Sequence, residues 1–101
     1  DICFEYNNLK PSDLESKDRI IKKLFARTGK QIVVEQNFWC DYGYNIYVGE
    51  NFYMNHNCTI LDGARVEFGD NVVIGAGSVV NKDVASNSVA VGNPCKVIKE
   101  I

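Results

Sequence analysis

Apolar side chains return at steps of six along the second half of this chain: Val48, Met54 and Ile60, then Phe68, Ile74 and Val80. That spacing fits neither a helical period nor plain strand alternation, so it marks a repeated structural unit. The step from Ile60 to Phe68 is eight, which places two extra residues at Asp62-Gly63, a turn-forming pair able to bulge out of the repeat. A second layer keeps the frame. Four residues after each position stand Phe52, Cys58, Ala64, Val72, Ser78 and Val84, mostly small or β-branched. Glycine or asparagine follows the first position in Val48-Gly49, Met54-Asn55, Phe68-Gly69, Ile74-Gly75 and Val80-Asn81, residues that tolerate left-handed backbone at sharp corners.

Three such units make a triangular coil of about 18 residues, and stacked coils bury what one unit cannot. Cys40 and Cys58, one such turn apart, are expected at the same inward corner of successive coils. The first coil is less regular. Val34, Cys40 and Ile46 keep the small-residue layer, while Gln36 and Tyr42 stand where aliphatic residues are expected. The run Ser88 to Pro94 leaves the repeat through a Gly-Asn-Pro turn, and Cys95 to Ile101 is expected as an edge strand or short cap. The fold class is therefore mainly β, a parallel β-helix of hexapeptide repeats with about three coils, near the minimum for a stable stack.

Residues 1–30 read as a helical cap and residues 31–101 as the β-helix with its tail. The spacing predicts a helix from Pro11 to Gly29, with Ser12 and Glu15 as a capping box and Leu14, Ile20, Ile21, Leu24 and Phe25 as its apolar stripe. The preceding ICFEYNNL has the character of the tail of another helix.

With 101 residues the chain forms one domain with a thin core, which oligomerisation would extend. A hydrophobic fraction of 46% and a net charge of -2 describe an ordinary globular protein without the basic footprint of a nucleic-acid binder. No apolar stretch is long enough to cross a membrane and no signal peptide is visible, so the expected compartment is the cytoplasm. Cys3, Cys40, Cys58 and Cys95 form no CxxC pair and have no histidine cluster nearby, so they read as buried thiols, with no metal site.

The run Phe68-Gly-Asp-Asn-Val-Val-Ile-Gly-Ala-Gly-Ser-Val-Val-Asn-Lys-Asp-Val84, followed by Val91-Gly-Asn-Pro-Cys-Lys-Val-Ile98, resembles the C-terminal signature of hexapeptide-repeat acetyltransferases. The upstream run Asp41-Tyr-Gly-Tyr-Asn-Ile-Tyr-Val-Gly-Glu-Asn-Phe-Tyr-Met-Asn-His-Asn-Cys-Thr-Ile-Leu-Asp62 is similar to the maltose and galactoside O-acetyltransferase branch. The resemblance implies a left-handed coil, a homotrimer with sites between neighbouring β-helices, acetyl-CoA as co-substrate and a sugar hydroxyl as acceptor. Maltose, glucose and galactosides all stay open as that acceptor.

By that resemblance Asp41 and Asn55 contact the acceptor, and Asp62 stands next to the other acceptor aspartate position, which is Gly63 here. Coenzyme A would run along Asn55, Ala76, Asn81 and Lys82 to Lys96 and Lys99, whose ammonium groups suit its phosphates. Asp41 is also readable as a solvated turn residue, and the tail lysines as solubilising charges.

Gly69-Asp70-Asn71 joins two coil starts that the family separates by further coils. The absent block would carry a Gly-His-Pro segment, whose histidine is the family's general base, and a loop that shapes the acceptor pocket. Because the join keeps the six-residue frame, the stack can still close. The sole histidine, His56, lies off that catalytic position on an outward corner and reads as a solvated or interface residue, so no catalytic residue is assigned. Three readings follow: an acetyl-CoA-dependent sugar O-acetyltransferase, a non-catalytic trimeric remnant or scaffold that retains coenzyme A contacts, and a segment of a longer enzyme.

Overall fold

A computed structural model describes the whole chain, Asp1–Ile101. Two helices, α1 (Ile2–Asn7) and α2 (Leu14–Leu24), precede ten short strands. These are β1 (Ile32–Val34), β2 (Phe38–Cys40), β3 (Ile46–Val48), β4 (Phe52–Met54), β5 (Cys58–Ile60), β6 (Val66–Phe68), β7 (Val72–Ile74), β8 (Val79–Val80), β9 (Ser88–Val91) and β10 (Lys96–Glu100). Strands β3 to β7 each bury their first and third residues and turn the middle one outward, as alternation along a strand requires.

Strands β1, β4 and β7 pair in parallel as one face, β2, β5 and β8 as a second, and β3 and β6 as a third. The backbone thus visits three faces in turn and advances one strand per circuit. On the last circuit the third face shrinks to a single bridge between Phe68 and Val84, and β9 joins β7. β10 runs antiparallel to β9 and closes the first face, so the expected edge strand is present.

The turn is not uniform. Residue 32 stands beside 52 and 52 beside 72, twenty residues per circuit (52 − 32), whereas 72 stands beside 88, sixteen residues (88 − 72). The expected circuit of about 18 residues is corrected accordingly. A two-residue insertion between the second and third faces, from Cys40 to Val48 and again from Ile60 to Phe68, lengthens the first two circuits, while a step of only four (84 − 80) from Val80 to Val84 shortens the last. Counting back by sixes misses the first insertion. As a result Phe38 fills the inward position of the second face, and Cys40 pairs with Ile60 while Cys58 pairs with Phe38, so the two cysteines do not stack on one another. Ala64 is exposed inside the bulge and Val66 takes the inward place expected of it.

The corners are also displaced from the sequence expectation. Left-handed backbone falls at Asn51, Asn57, Asn71 and Asn87, with φ between 56° and 61°, and at Gly77 with φ of 73°, two residues later than Gly49, Asn55, Gly69 and Gly75. Gly49 is small for another reason. A Cβ there would collide with the Asp70 carboxylate and come within 2.9 Å of the Gly69 backbone on the next circuit. The asparagines form a ladder, with the Asn51 amide donating to Asn71 Oδ1 at 3.0 Å and the Asn71 amide to Asn87 Oδ1 at 2.9 Å. The join at Gly69-Asp70-Asn71 is therefore a regular corner: Glu50 N donates to Asp70 Oδ1 at 2.7 Å and Asp70 N to Ser86 Oγ at 2.8 Å.

The helices seal the first circuit. Helix α2 starts on Asp13, whose carboxylate accepts from Ser16 N at 3.2 Å, and stops at Phe25, in place of the expected Ser12 and Gly29. Extended backbone from Phe25 lets Ala26 N donate to Ile46 O at 2.9 Å, so the chain already lines the third face there. Ile20, Ile21, Leu24 and Phe25 are buried, whereas Leu14 is exposed. From α1, the buried Tyr6 hydroxyl donates to the Val34 carbonyl, and Asn7 exchanges hydrogen bonds of 2.8 and 3.0 Å with the Phe38 backbone. Helices and coils share one buried hydrophobic cluster. No helix is long and apolar enough to cross a membrane.

Burial, then the carboxylates of Glu35 and Asp18, push the Tyr6 hydroxyl well above its ordinary value. A folded-state pKa raised in this way favours folding below the unfolded pKa of about 10 and loses that contribution as pH climbs beyond it. Urea unfolding is expected to show stability falling above about pH 10. In Tyr6→Phe that alkaline limb flattens, while stability at neutral pH drops by about 1 kcal/mol for the lost hydrogen bond.

Candidate functional site

The inserted segments between the second and third faces, residues 41–45 and 61–65, make one corner of the coil distinctive. Inside it lies Asp62, which is fully buried. Its Oδ1 accepts from the backbone N–H groups of Asp41 at 3.0 Å and Tyr42 at 2.9 Å, and its Oδ2 from Gly43 at 2.7 Å and Asn45 at 3.3 Å. Asn45 returns a bond from its side chain to the Asp62 carbonyl at 2.9 Å. Four amides fill the lone-pair positions of the carboxylate and compensate its desolvation. Asp62 therefore organises the loop, and its carboxylate is not offered to a ligand.

Asp41, held through its own N–H, is exposed. It borders a depression of about 300 Å³ lined also by Ile2, Cys3, Leu24, Trp39, Cys40 and Tyr42. Trp39 is 44% exposed, and the exposed rings of Tyr42 and Tyr44 stack at 5.1 Å. These aromatics escaped the six-residue reading. The signal that finds Trp39 is strand alternation, which turns it outward between Phe38 and Cys40, and the inserted Tyr-Gly-Tyr marks a loop with rings to spare. In the same depression the Cys3 and Cys40 sulfurs lie 3.6 Å apart as free thiols. Hydrogen bonding with Cys40 lowers the Cys3 thiol to about 7, and Cys3 together with burial pushes Cys40 up.

The other sequence-derived residues fall on different parts of the coil. Asn81 and Lys82 follow β8, one circuit on from Asp62, and both are exposed. Asn55 and Ala76 occupy the corner between the first and second faces, where Asn55 N donates to Ile74 O at 2.9 Å. The glycines flanking Ala76 keep that corner slim, and a Cβ on Gly77 would meet nothing within 4 Å. Lys96 and Lys99 lie exposed on β10. The chain's ion pairs are Lys17–Glu35, Lys22–Asp18 and Arg65–Glu67, which leaves Lys82, Lys96 and Lys99 without a carboxylate partner. No three His, Cys, Asp or Glu side chains gather as a metal cluster.

One chain thus brings Asp41, Asp62, Asn81 and Lys82 to one corner column and Asn55 with Ala76 to another. A small, open corner suits the arm of a long thioester, unpaired lysines suit its phosphates, and an exposed carboxylate among aromatic rings suits a polyhydroxylated ring.

Replacing Asp62 by Ala strands four amide donors, that of Gly43 fully buried. The loss expected in urea unfolding is about 3 kcal/mol or more, with amide exchange accelerated at residues 41–45 ahead of the strands.

No family model matches the chain. It is 32% identical to the galactoside O-acetyltransferase of Escherichia coli K12 over 154 residues, covering 99% of this chain and 76% of that one. An aligned span of 154 against a chain of 101 leaves at least 53 positions (154 − 101) of the relative facing a gap. Among solved structures, a maltose O-acetyltransferase from Clostridium difficile 630 matches with a TM-score of 0.64 and 36% identity, covering 99% of this chain and 82% of that one. A galactoside acetyltransferase in complex with coenzyme A matches with a TM-score of 0.69 and 31% identity over 99% of this chain and 77% of that one. With these identities carried across nearly the whole chain, and the six-residue repeat behind them, the protein belongs to the hexapeptide-repeat acetyltransferase family of the galactoside and maltose O-acetyltransferases.

Proposed function

We propose that this protein transfers an acetyl group from acetyl-CoA to a sugar hydroxyl, and that it works as a homotrimer of left-handed β-helices capped by residues 1–30. The observation that carries the reading is that each corner of one chain holds only part of a site. Asp41 and its aromatic neighbours share one corner column with Asn81 and Lys82, Asn55 shares another with Ala76, and Lys96 and Lys99 stand unpaired on the tail. Such a division is productive when the corner of one copy faces the corner of the next, and assembly also enlarges the thin core of a short chain.

In this reading Asp41 and Asn55 hold the acceptor hydroxyls, with Trp39, Tyr42 and Tyr44 as the apolar side of its bed. Asp62 acts through the loop it grips. Ala76 lets the pantetheine arm lie close, Asn81 contacts it, and Lys82, Lys96 and Lys99 meet the phosphates. Four free thiols accord with a reducing compartment, the cytoplasm.

The gap of at least 53 positions against the E. coli relative favours a second reading, a trimeric scaffold that binds coenzyme A without turning it over. Calorimetric titration with acetyl-CoA and a thiol-release assay with maltose and a methyl galactoside separate the two. The enzyme reading expects binding, release above the uncatalysed rate and a trimeric mass in solution. In Lys96→Ala/Lys99→Ala the affinity is expected to fall about tenfold or more as charge-assisted contacts are lost. Binding without release selects the scaffold, and absence of both overturns the assignment.

A further inference from the structure

We propose that His56 is the general base of this short chain, taking the proton of the acceptor hydroxyl in place of the histidine that the missing block would carry. The inference rests on the acetyl-transfer reading above. His56 is the sole histidine and is exposed. One hydrogen bond orients its ring. Nδ1 lies 3.0 Å from the carbonyl oxygen of Gln36 on the preceding circuit, and a carbonyl only accepts, so the neutral ring carries its proton on Nδ1. The Nε2 lone pair is then left bare, the state a base needs.

The backbone beneath the ring is hydrogen-bonded as well. The His56 carbonyl accepts from Gly77 N at 2.9 Å on the following circuit, which ties the histidine to the Ala76 corner. Asn55 precedes it in the chain. The regular join at Gly69-Asp70-Asn71 is what sets these two circuits next to one another, because no further coils intervene between β4 and β7. His56 thus shares a corner column with Asn55, assigned to the acceptor, and Ala76, assigned to the acyl donor.

In the step assigned to it, the acceptor hydroxyl oxygen attacks the thioester carbonyl carbon as Nε2 takes the hydroxyl proton. The new C–O bond forms, the C–S bond breaks, and the imidazolium returns its proton to the departing thiolate. The products are the sugar acetate ester and the free thiol of coenzyme A, with no oxidant or metal required.

Two measurements on the full chain test this. With a single histidine, nitrogen-15 spectra of the ring are unambiguous, and the expected neutral form bears its proton on Nδ1. A form protonated on Nε2 overturns the proposal. In the thiol-release assay with methyl galactoside and maltose, His56→Ala and His56→Gln are each expected to lose about 100-fold or more in rate. Glutamine keeps a donor for the Gln36 carbonyl, so its loss separates proton transfer from corner structure. Acetyl-CoA affinity stays within about twofold in both, and added imidazole restores part of the rate to His56→Ala but none to Lys96→Ala/Lys99→Ala.

Unchanged rates in both variants overturn the assignment of His56 and leave the acetyl-transfer reading standing. A wild type that binds acetyl-CoA without transfer overturns it in favour of the scaffold. A wild type that neither binds nor transfers sinks both together.

Discussion

Everything in this protein depends on the parallel hydrogen-bond ladder that joins one circuit of the coil to the next. Three-residue strands cannot stand alone, since each contributes only two inward side chains and few backbone bonds. Stacked in register, Val34, Met54, Ile74 and Ala90 form one inward column, and Val48 and Phe68 begin another. The residues on these columns are essentially inaccessible to water, and the chain has no buried side-chain polar atom without a partner. The corners inherit their geometry from the ladder, and with it the placement of the candidate site residues.

Much of this was legible in the sequence. The six-residue step found the repeat, its inward layers from Val48 to Val80 and the second bulge, because those circuits contain enough regular units to fix a frame. It failed over the first circuit, where an identical insertion at 41–45 shifts the count. Asp62 shows why. One buried carboxylate binds four amides of the preceding circuit's loop, a contact between residues about twenty apart that no local pattern announces. The left-handed positions were misplaced by two residues for a similar reason. Glycine was read as conformational need at Gly49, where the structure shows close approach of the next circuit instead.

The site was only partly legible. Asp41, Asn55, Ala76, Asn81, Lys82, Lys96 and Lys99, named by motif likeness, lie at exposed or half-buried positions, whereas that likeness sets Asp62 only beside the acceptor position that Gly63 occupies. The structure separates Asp62 from them by burying its carboxylate. Trp39, Tyr42 and Tyr44 were invisible to a reading built on inward periodicity, since they are what the repeat leaves outside. Most consequential is the join at Gly69-Asp70-Asn71. It continues the ladder from β4 to β7 in register, and it sets the His56 backbone against Gly77 beside Ala76.

In the proposed reading, two separate corners of this coil, together with its lysine tail, hold one acyl donor and one acceptor. Backbone amide spectra recorded during titration, first with acetyl-CoA and then with methyl galactoside, test it most directly. The first ligand is expected to move the resonances of residues 75–77, 81–82 and 96–99, and the second those of 39–44 and Asn55. Shifts confined to the helical cap, or none at saturating ligand, would contradict it.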